Sequence, residues 1–152
     1  FAAQGQENNQ RGVQFDVSTV GWDKIVVSWD QRHSNTSSRF VQFLYSLDGV
    51  NYTNAGLAND GIFEGPAGDT WFNNRAVDLS NIAGAADNAN FSFRIVATFG
   101  PAGGYVASNS GSNYQGTGTW RFDMVTVSGN FIPAPGAIAL LGLAGLVARR
   151  RR

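Results

Sequence analysis

Apolar residues in this chain recur at every second position in short runs broken by Gly, Asn and Ser, a period that suits half-buried strands and not amphipathic helices. Ile25, Val27 and Trp29 fall on one face of Lys24–Asp30, with Val26 and Ser28 on the other. Phe91, Phe93, Ile95 and Ala97 alternate with Ser92, Arg94, Val96 and Thr98 through Phe91–Phe99. Trp120, Phe122, Met124 and Thr126 alternate with Arg121, Asp123, Val125 and Val127 through Thr119–Ser128. Further strands are predicted at Arg11–Asp16, Phe40–Ser46 and Ala76–Leu79. Asp48-Gly49 closes a hairpin flanked by Tyr45 and Tyr52, because glycine supplies the positive φ such turns need. Within Ser80–Asp87, Ser80 is placed to cap a single helical turn before a small-residue loop. Gly100–Gly118 reads as a long surface loop with one short strand at Gly104–Ala107. The expectation is an all-β, antiparallel β-sandwich of jelly-roll type over residues 1–130, followed by one short C-terminal hydrophobic helix.

Composition narrows the function classes. The chain has no Cys, so a disulfide framework, a thiolate metal site and a cysteine nucleophile are all excluded. Its 11 Lys and Arg match its 11 Asp and Glu, but four of the cations are Arg149–Arg152, so the part before Phe131 carries about minus four. That acidity argues against a nucleic-acid partner, which wants a basic face. Nineteen glycines and few charges suit an exposed, turn-rich β domain.

Residues 131–152 are of a different kind. Pro133-Ala134-Pro135 neither continues a helix nor joins a central strand. Gly136, Ala137, Ile138, Ala139, Leu140, Leu141, Gly142, Leu143, Ala144, Gly145, Leu146, Val147 and Ala148 follow without a charge, and then come Arg149, Arg150, Arg151 and Arg152. As a helix, Gly136–Ala148 spans roughly 20 Å against a hydrocarbon core of roughly 30 Å, which suits a transient membrane stop better than a lasting anchor. The arginines belong at cytoplasmic headgroups, which places the preceding domain across the membrane. A buried core helix would not be apolar on every face, open with two prolines and close on four arginines. Phe1–Gly12 is a Gln/Asn-rich approach to a strand and no export leader, so a signal is expected upstream of Phe1, with one or two N-terminal strands missing from the domain.

In its order of proline-bracketed tripeptide, short Gly/Ala/Leu-rich segment and arginine cluster, the tail resembles the bacterial PEP-CTERM sorting signals. These are recognised by exosortase, a membrane-embedded cysteine transpeptidase-like protease. The family's usual Pro-Glu-Pro is Pro133-Ala134-Pro135 here, so the acidic residue is replaced by Ala134. The resemblance implies that Pro133, Ala134 and Pro135 form the recognition motif, that Gly136–Arg152 is removed near it, and that the protein passes transiently through the inner membrane to the cell surface or beyond. The segments VSWDQR (Val27–Arg32), FLYSLDGVNYT (Phe43–Thr53), FSFRIVA (Phe91–Ala97) and GTGTWRFDMVTVSG (Gly116–Gly129) resemble the galactose-binding-like jelly-roll ectodomains that accompany such tails. A fold carries no ligand with it.

Within the domain no constellation demands catalysis. His33, the single histidine, lies in the polar stretch Gln31–Ser38 and reads as a surface-loop residue. Glu64, in a Gly/Pro loop, is the one carboxylate retained for a glycoside hydrolase, whose chemistry needs a carboxylate pair at a defined separation. Asn59-Asp60-Gly61 and Asp87 offer oxygens to a structural calcium, with solvated turns the preferred reading. Asp123 is expected to pair with Arg121 on its strand. Trp29 and Trp120 are expected in the core. For a carbohydrate partner, Trp71 in the loop Gly65–Asn74 and Tyr105 and Tyr114 in the long loop are the candidate contacts. Trp71 is nonetheless expected to pack beneath its loop. The leading expectation is a non-enzymatic, exported protein with a structural or adhesive role in extracellular matrix or biofilm. A carbohydrate-binding module is the alternative, and a glycoside hydrolase comes third.

Overall fold

Two antiparallel sheets face one another across the predicted apolar faces. The computed structural model describes residues 1–133; Ala134, Pro135, the expected helix at 136–148 and Arg149–Arg152 lie outside the described residues. The strands are β1 (Gly12–Asp16), β2 (Trp22–His33), β3 (Phe40–Ser46), β4 (Ile62–Glu64), β5 (Thr70–Asp78), β6 (Ser92–Ala97) and β7 (Trp120–Phe131). One sheet has the order β1-β6-β3-β4 and the other β5-β2-β7. Apart from β3 to β4, every connection crosses from one sheet to the other, as in a jelly roll. The sandwich predicted from the alternation is therefore the observed fold.

The core forms where the two inner faces meet. Ile25, Val27 and Trp29 of β2 pack against Val41, Phe43 and Tyr45 of β3 and Phe93 and Ile95 of β6. The Trp29 indole stacks on Phe43 at 5.8 Å and meets Phe63 edge-on at 5.1 Å. Offset and edge-on pairs of this kind add about 1 kcal/mol each beyond their buried area. β6, central in its sheet, is buried on its outer face too, where the Tyr52 hydroxyl meets Ser92 Oγ at 2.8 Å and the Arg94 guanidinium lies 3.6 Å over the Tyr52 ring.

β2 keeps its period of two from Ile25 to His33, but both of its neighbours break theirs at the same level. The register shifts between Trp29 and Gln31 against β5 and between Ser28 and Asp30 against β7. Asn74 and Met124, at φ 57° and 51°, carry these bulges. An extra residue in one strand of a pair moves every later side chain to the other face. In β7 the inward set is Trp120 and Phe122, then Val125 and Val127, while Met124 and Thr126 face out. This corrects the unbroken alternation expected there.

Other local expectations are also revised. The strand expected at Ala76–Leu79 begins already at Thr70. Ser80–Asp87 is a run of turns without a helix, and Ser80 is itself capped, its N–H donating to Asp78 Oδ1 at 2.8 Å. Gly104–Ala107 forms no strand, only single bridges from Gly104 to Gly100 and from Ala107 to Ser38. At Asp48-Gly49 the expected turn is present, with Gly49 at φ 79° and the Asp48 carboxylate accepting from the N–H groups of Val50 and Asn51. Those bonds hold Asp48 well below the ordinary carboxylate pKa.

Candidate functional site

At the end of the sandwich where β2 finishes, the interior turns from apolar to polar. Continuing inward from Trp29, β2 buries Gln31 and His33 completely, and β5 brings in Arg75 opposite Trp29. His33 is therefore an interior residue on a strand, not the surface-loop histidine expected from its polar neighbours. The Gln31 side-chain oxygen accepts from Trp29 Nε1 at 3.1 Å and from Arg75 Nη1 at 2.8 Å. Two donors at one oxygen fix the orientation of that amide.

The Arg75 guanidinium has no carboxylate partner within ion-pair distance among the described residues. It donates a second bond to the Glu64 carbonyl at 3.0 Å and lies between Phe72 and Phe63, 5.1 and 5.7 Å from their ring centres. Burial lowers its pKa to about 10, so it stays charged at neutral pH. Two carbonyl-type oxygens and two aromatic faces thus take the place of an anion.

His33 Nδ1 lies 2.9 Å from the Ser38 carbonyl oxygen and 3.0 Å from Ser108 Oγ. A carbonyl only accepts, which assigns the proton to Nδ1 and leaves Nε2 as an acceptor. Burial first, and the nearby Arg75 cation second, push the His33 pKa down to about 4, against the raising effect of the Ser38 bond. The ring is neutral at physiological pH. Ser108 and His33 are both fully buried, so this hydroxyl–imidazole contact presents no nucleophile to solvent. Gln31 Nε2 and His33 Nε2 are buried without a hydrogen-bond partner among the described residues. The arrangement organises an interior, with Gln31, His33 and Ser108 fully buried.

The sequence-selected residues scatter around this end. Glu64 is engaged by Arg39, whose Nε donates to Oε1 at 2.6 Å. Trp120 is half-buried, donates Nε1–H to the Ser38 carbonyl at 3.0 Å and meets His33 edge-on at 5.5 Å. Tyr105 is buried, stacked on Tyr114 at 4.7 Å, with its hydroxyl donating to the Glu7 carbonyl at 3.0 Å. Tyr114 is half-buried and donates to the Ala2 carbonyl at 2.7 Å; burial, then its closeness to Tyr105, raises its pKa to about 12. The two tyrosines therefore clamp the N-terminal segment onto the long loop and offer no exposed platform, contrary to expectation.

Trp71 goes the other way. It lies on strand β5, not in a loop, and 42% of it is exposed, so it does not pack beneath a loop. In register it neighbours Arg32, which in turn neighbours Arg121 across β7, and directly paired residues share a face. Arg32 Nη2 lies 3.0 Å from Asp69. This row on the outer face of the three-stranded sheet is the part of the carbohydrate expectation that remains.

The turn residues do not converge. The Asp60 carbonyl accepts from Gln42 and Asn54 side chains, and Asp87 Oδ1 accepts from the Gly21 N–H at 2.8 Å. Among the described residues no group of three or more His, Asp or Glu side chains is placed to hold a metal ion. Asp123 does not pair with Arg121; its Oδ1 accepts from the Met124 N–H at 2.8 Å, bracing the bulge.

Sequence reasoning missed an apolar feature at the opposite end, where β2 begins and β7 finishes. Val20, Trp22, Phe131 and Ile132 are all exposed there, and Trp22 meets Phe131 edge-on at 5.9 Å. The signal lay in Phe131 and Ile132, which read as the start of the tail. Pro133 is exposed beside them, while Ala134, Pro135 and the rest of the tail lie outside the described residues. No helix among the described residues is long and apolar enough to cross a membrane. No family model, no curated protein and no solved structure matches this chain.

Proposed function

We propose that this chain is an exported bacterial β-sandwich ectodomain with a structural or adhesive role at the cell surface or in extracellular matrix. Its C-terminal segment serves as a sorting signal: an exosortase-type protease reads Pro133-Ala134-Pro135 while Gly136–Ala148 lies in the inner membrane and Arg149–Arg152 stays cytoplasmic. The observation that carries this reading is the succession, without a spacer, of a proline motif, an uncharged apolar run and an arginine block. It is supported by the position of the last strand, which stops at Phe131 and leaves Pro133 exposed just outside the sandwich. The test is fractionation of cells that express the chain behind an export signal in a host with the protease. The full chain is expected to lose Gly136–Arg152 there and to stay full length in the membrane fraction of a host without the protease. Full-length chain in both hosts contradicts the reading.

A second reading, carbohydrate binding, is favoured by one observation, the exposed Trp71 beside the Arg32–Asp69 pair. The C–H face of a sugar stacks on an indole, and its vicinal hydroxyls match a neighbouring donor and acceptor. Pull-down on the producing organism's exopolysaccharide tests it. The Trp71→Ala variant is expected to lose retention under this reading and to keep it under the structural one.

A further inference from the structure

Four exposed apolar residues, Val20, Trp22, Phe131 and Ile132, gather at the end of the sandwich from which the chain leaves toward its apolar tail. Trp22 and Phe131 are directly paired across β2 and β7, and the Ile132 N–H donates to the Gly21 carbonyl at 2.8 Å, so the patch is fixed to the sheet. Behind them Ile25 and Val127 floor a shallow cleft. Exposed Trp and Phe on one rigid surface, with no covering element among the described residues, call for an occupant.

The covalent connection identifies that occupant. From Ile132 to Gly136 the chain can extend at most roughly 14 Å, whatever its conformation. Once Gly136–Ala148 enters a bilayer, the end of the sandwich bearing these residues is held within that distance of the headgroups, and no other end of the domain can take its place. Indole rings partition to the boundary between headgroups and acyl chains, where the ring is buried and its N–H stays wet. We infer that Val20, Trp22, Phe131 and Ile132 form a membrane-docking surface that seats the sandwich on the lipid interface while the tail is inserted, and so presents Pro133-Ala134-Pro135 at headgroup level. This rests on the proposed membrane insertion of the tail. Because the tail is too short to span comfortably, a seated domain supplies the interfacial hold that the helix lacks. Cleavage near the motif then removes the tether and leaves only a weak residual affinity.

The absence of cysteine makes the test direct, since one introduced thiol can be labelled alone. The full chain carries an environment-sensitive fluorophore at Val20→Cys, at Ser110→Cys beyond the opposite end of β2, or at Leu141→Cys in the tail, and is reconstituted in vesicles of phosphatidylethanolamine and phosphatidylglycerol. The expected result is a blue shift and quenching by lipid-borne quenchers for the Leu141 and Val20 labels, with the Ser110 label unchanged. Adding Trp22→Ser and Phe131→Ser together is expected to return the Val20 label to its aqueous emission while the Leu141 label stays shifted. An aqueous Val20 label beside an inserted Leu141 label overturns the docking surface and leaves the sorting reading standing. An aqueous Leu141 label removes both. A Val20 shift that persists in the double variant also overturns the assignment to these side chains.

Discussion

The backbone N–H of Ile132 donates to the carbonyl of Gly21 at 2.8 Å, fastening the chain to the sandwich one residue before the proline motif. Trp22 and Phe131 sit on either side of that bond as a direct cross-strand pair. The domain therefore hands over to its tail without a linker: folded structure reaches Ile132, and the tripeptide begins at Pro133.

His33 sets a pH limit on stability. Its folded pKa of about 4 is depressed from 6.5, so the native state refuses a proton that the unfolded chain accepts. The stabilisation is complete above pH 6.5 and is lost as pH falls toward 4, by on the order of 3 kcal/mol over the window. Urea unfolding at steps between pH 7 and about pH 5.5 checks it, above the range where ordinary carboxylates titrate. A flat free energy over that range contradicts the buried neutral ring.

Gly65 and His33 cannot both keep their places if Gly65 gains a side chain. A β-carbon at Gly65 would lie 2.6 Å from His33 Nε2, and the Gly65 backbone is pinned by its N–H bond to the Arg39 carbonyl at 2.8 Å. Gly65→Ala is expected to cost about 1–3 kcal/mol as overpacking. Gly111→Ala, whose nearest neighbour atom would be 3.8 Å away, is expected to stay within about 0.5 kcal/mol of the native chain. Thermal midpoints of the two variants distinguish the cases.

The bulge in β7 makes a prediction of opposite signs two residues apart. Met124 is exposed at φ 51°, a conformation that costs an L-residue about 1 kcal/mol and glycine much less. Met124→Gly is expected to raise stability by about 0.5 kcal/mol, whereas Thr126→Gly, in regular strand, lowers it by about 1 kcal/mol. Loss of stability in both by equal amounts would place the irregularity elsewhere.

The same bulge shows where the sequence stopped being legible. From Ile25 onward the period of two in β2 ran unbroken and gave Ile25, Val27 and Trp29 their inward face directly. In β7 it failed at Met124, because the shift is imposed by pairing with Asp30 on a strand far away in the chain, which no local pattern encodes. Gln31 and His33 also continued the inward face of β2, but the polar residues around them resembled a loop. Only the contacts to Arg75, Ser38 and Ser108 make a polar interior affordable there. Tyr105 and Tyr114 were misplaced for a related reason. A Gly- and Ser-rich stretch looks like solvent-exposed loop, yet this one is fastened over the end of the sandwich by the N-terminal segment, a contact spanning most of the domain. Trp71 was misread by one element, as a loop residue where β5 had already begun.

The most direct test of the account is the intact mass of the mature protein isolated from envelope and medium of its own host, with the chain expressed behind an export signal. The expected species has its C-terminus near Pro135 and lacks Gly136–Arg152. A protein recovered only from the membrane fraction at full length, with the four arginines in place, would contradict it.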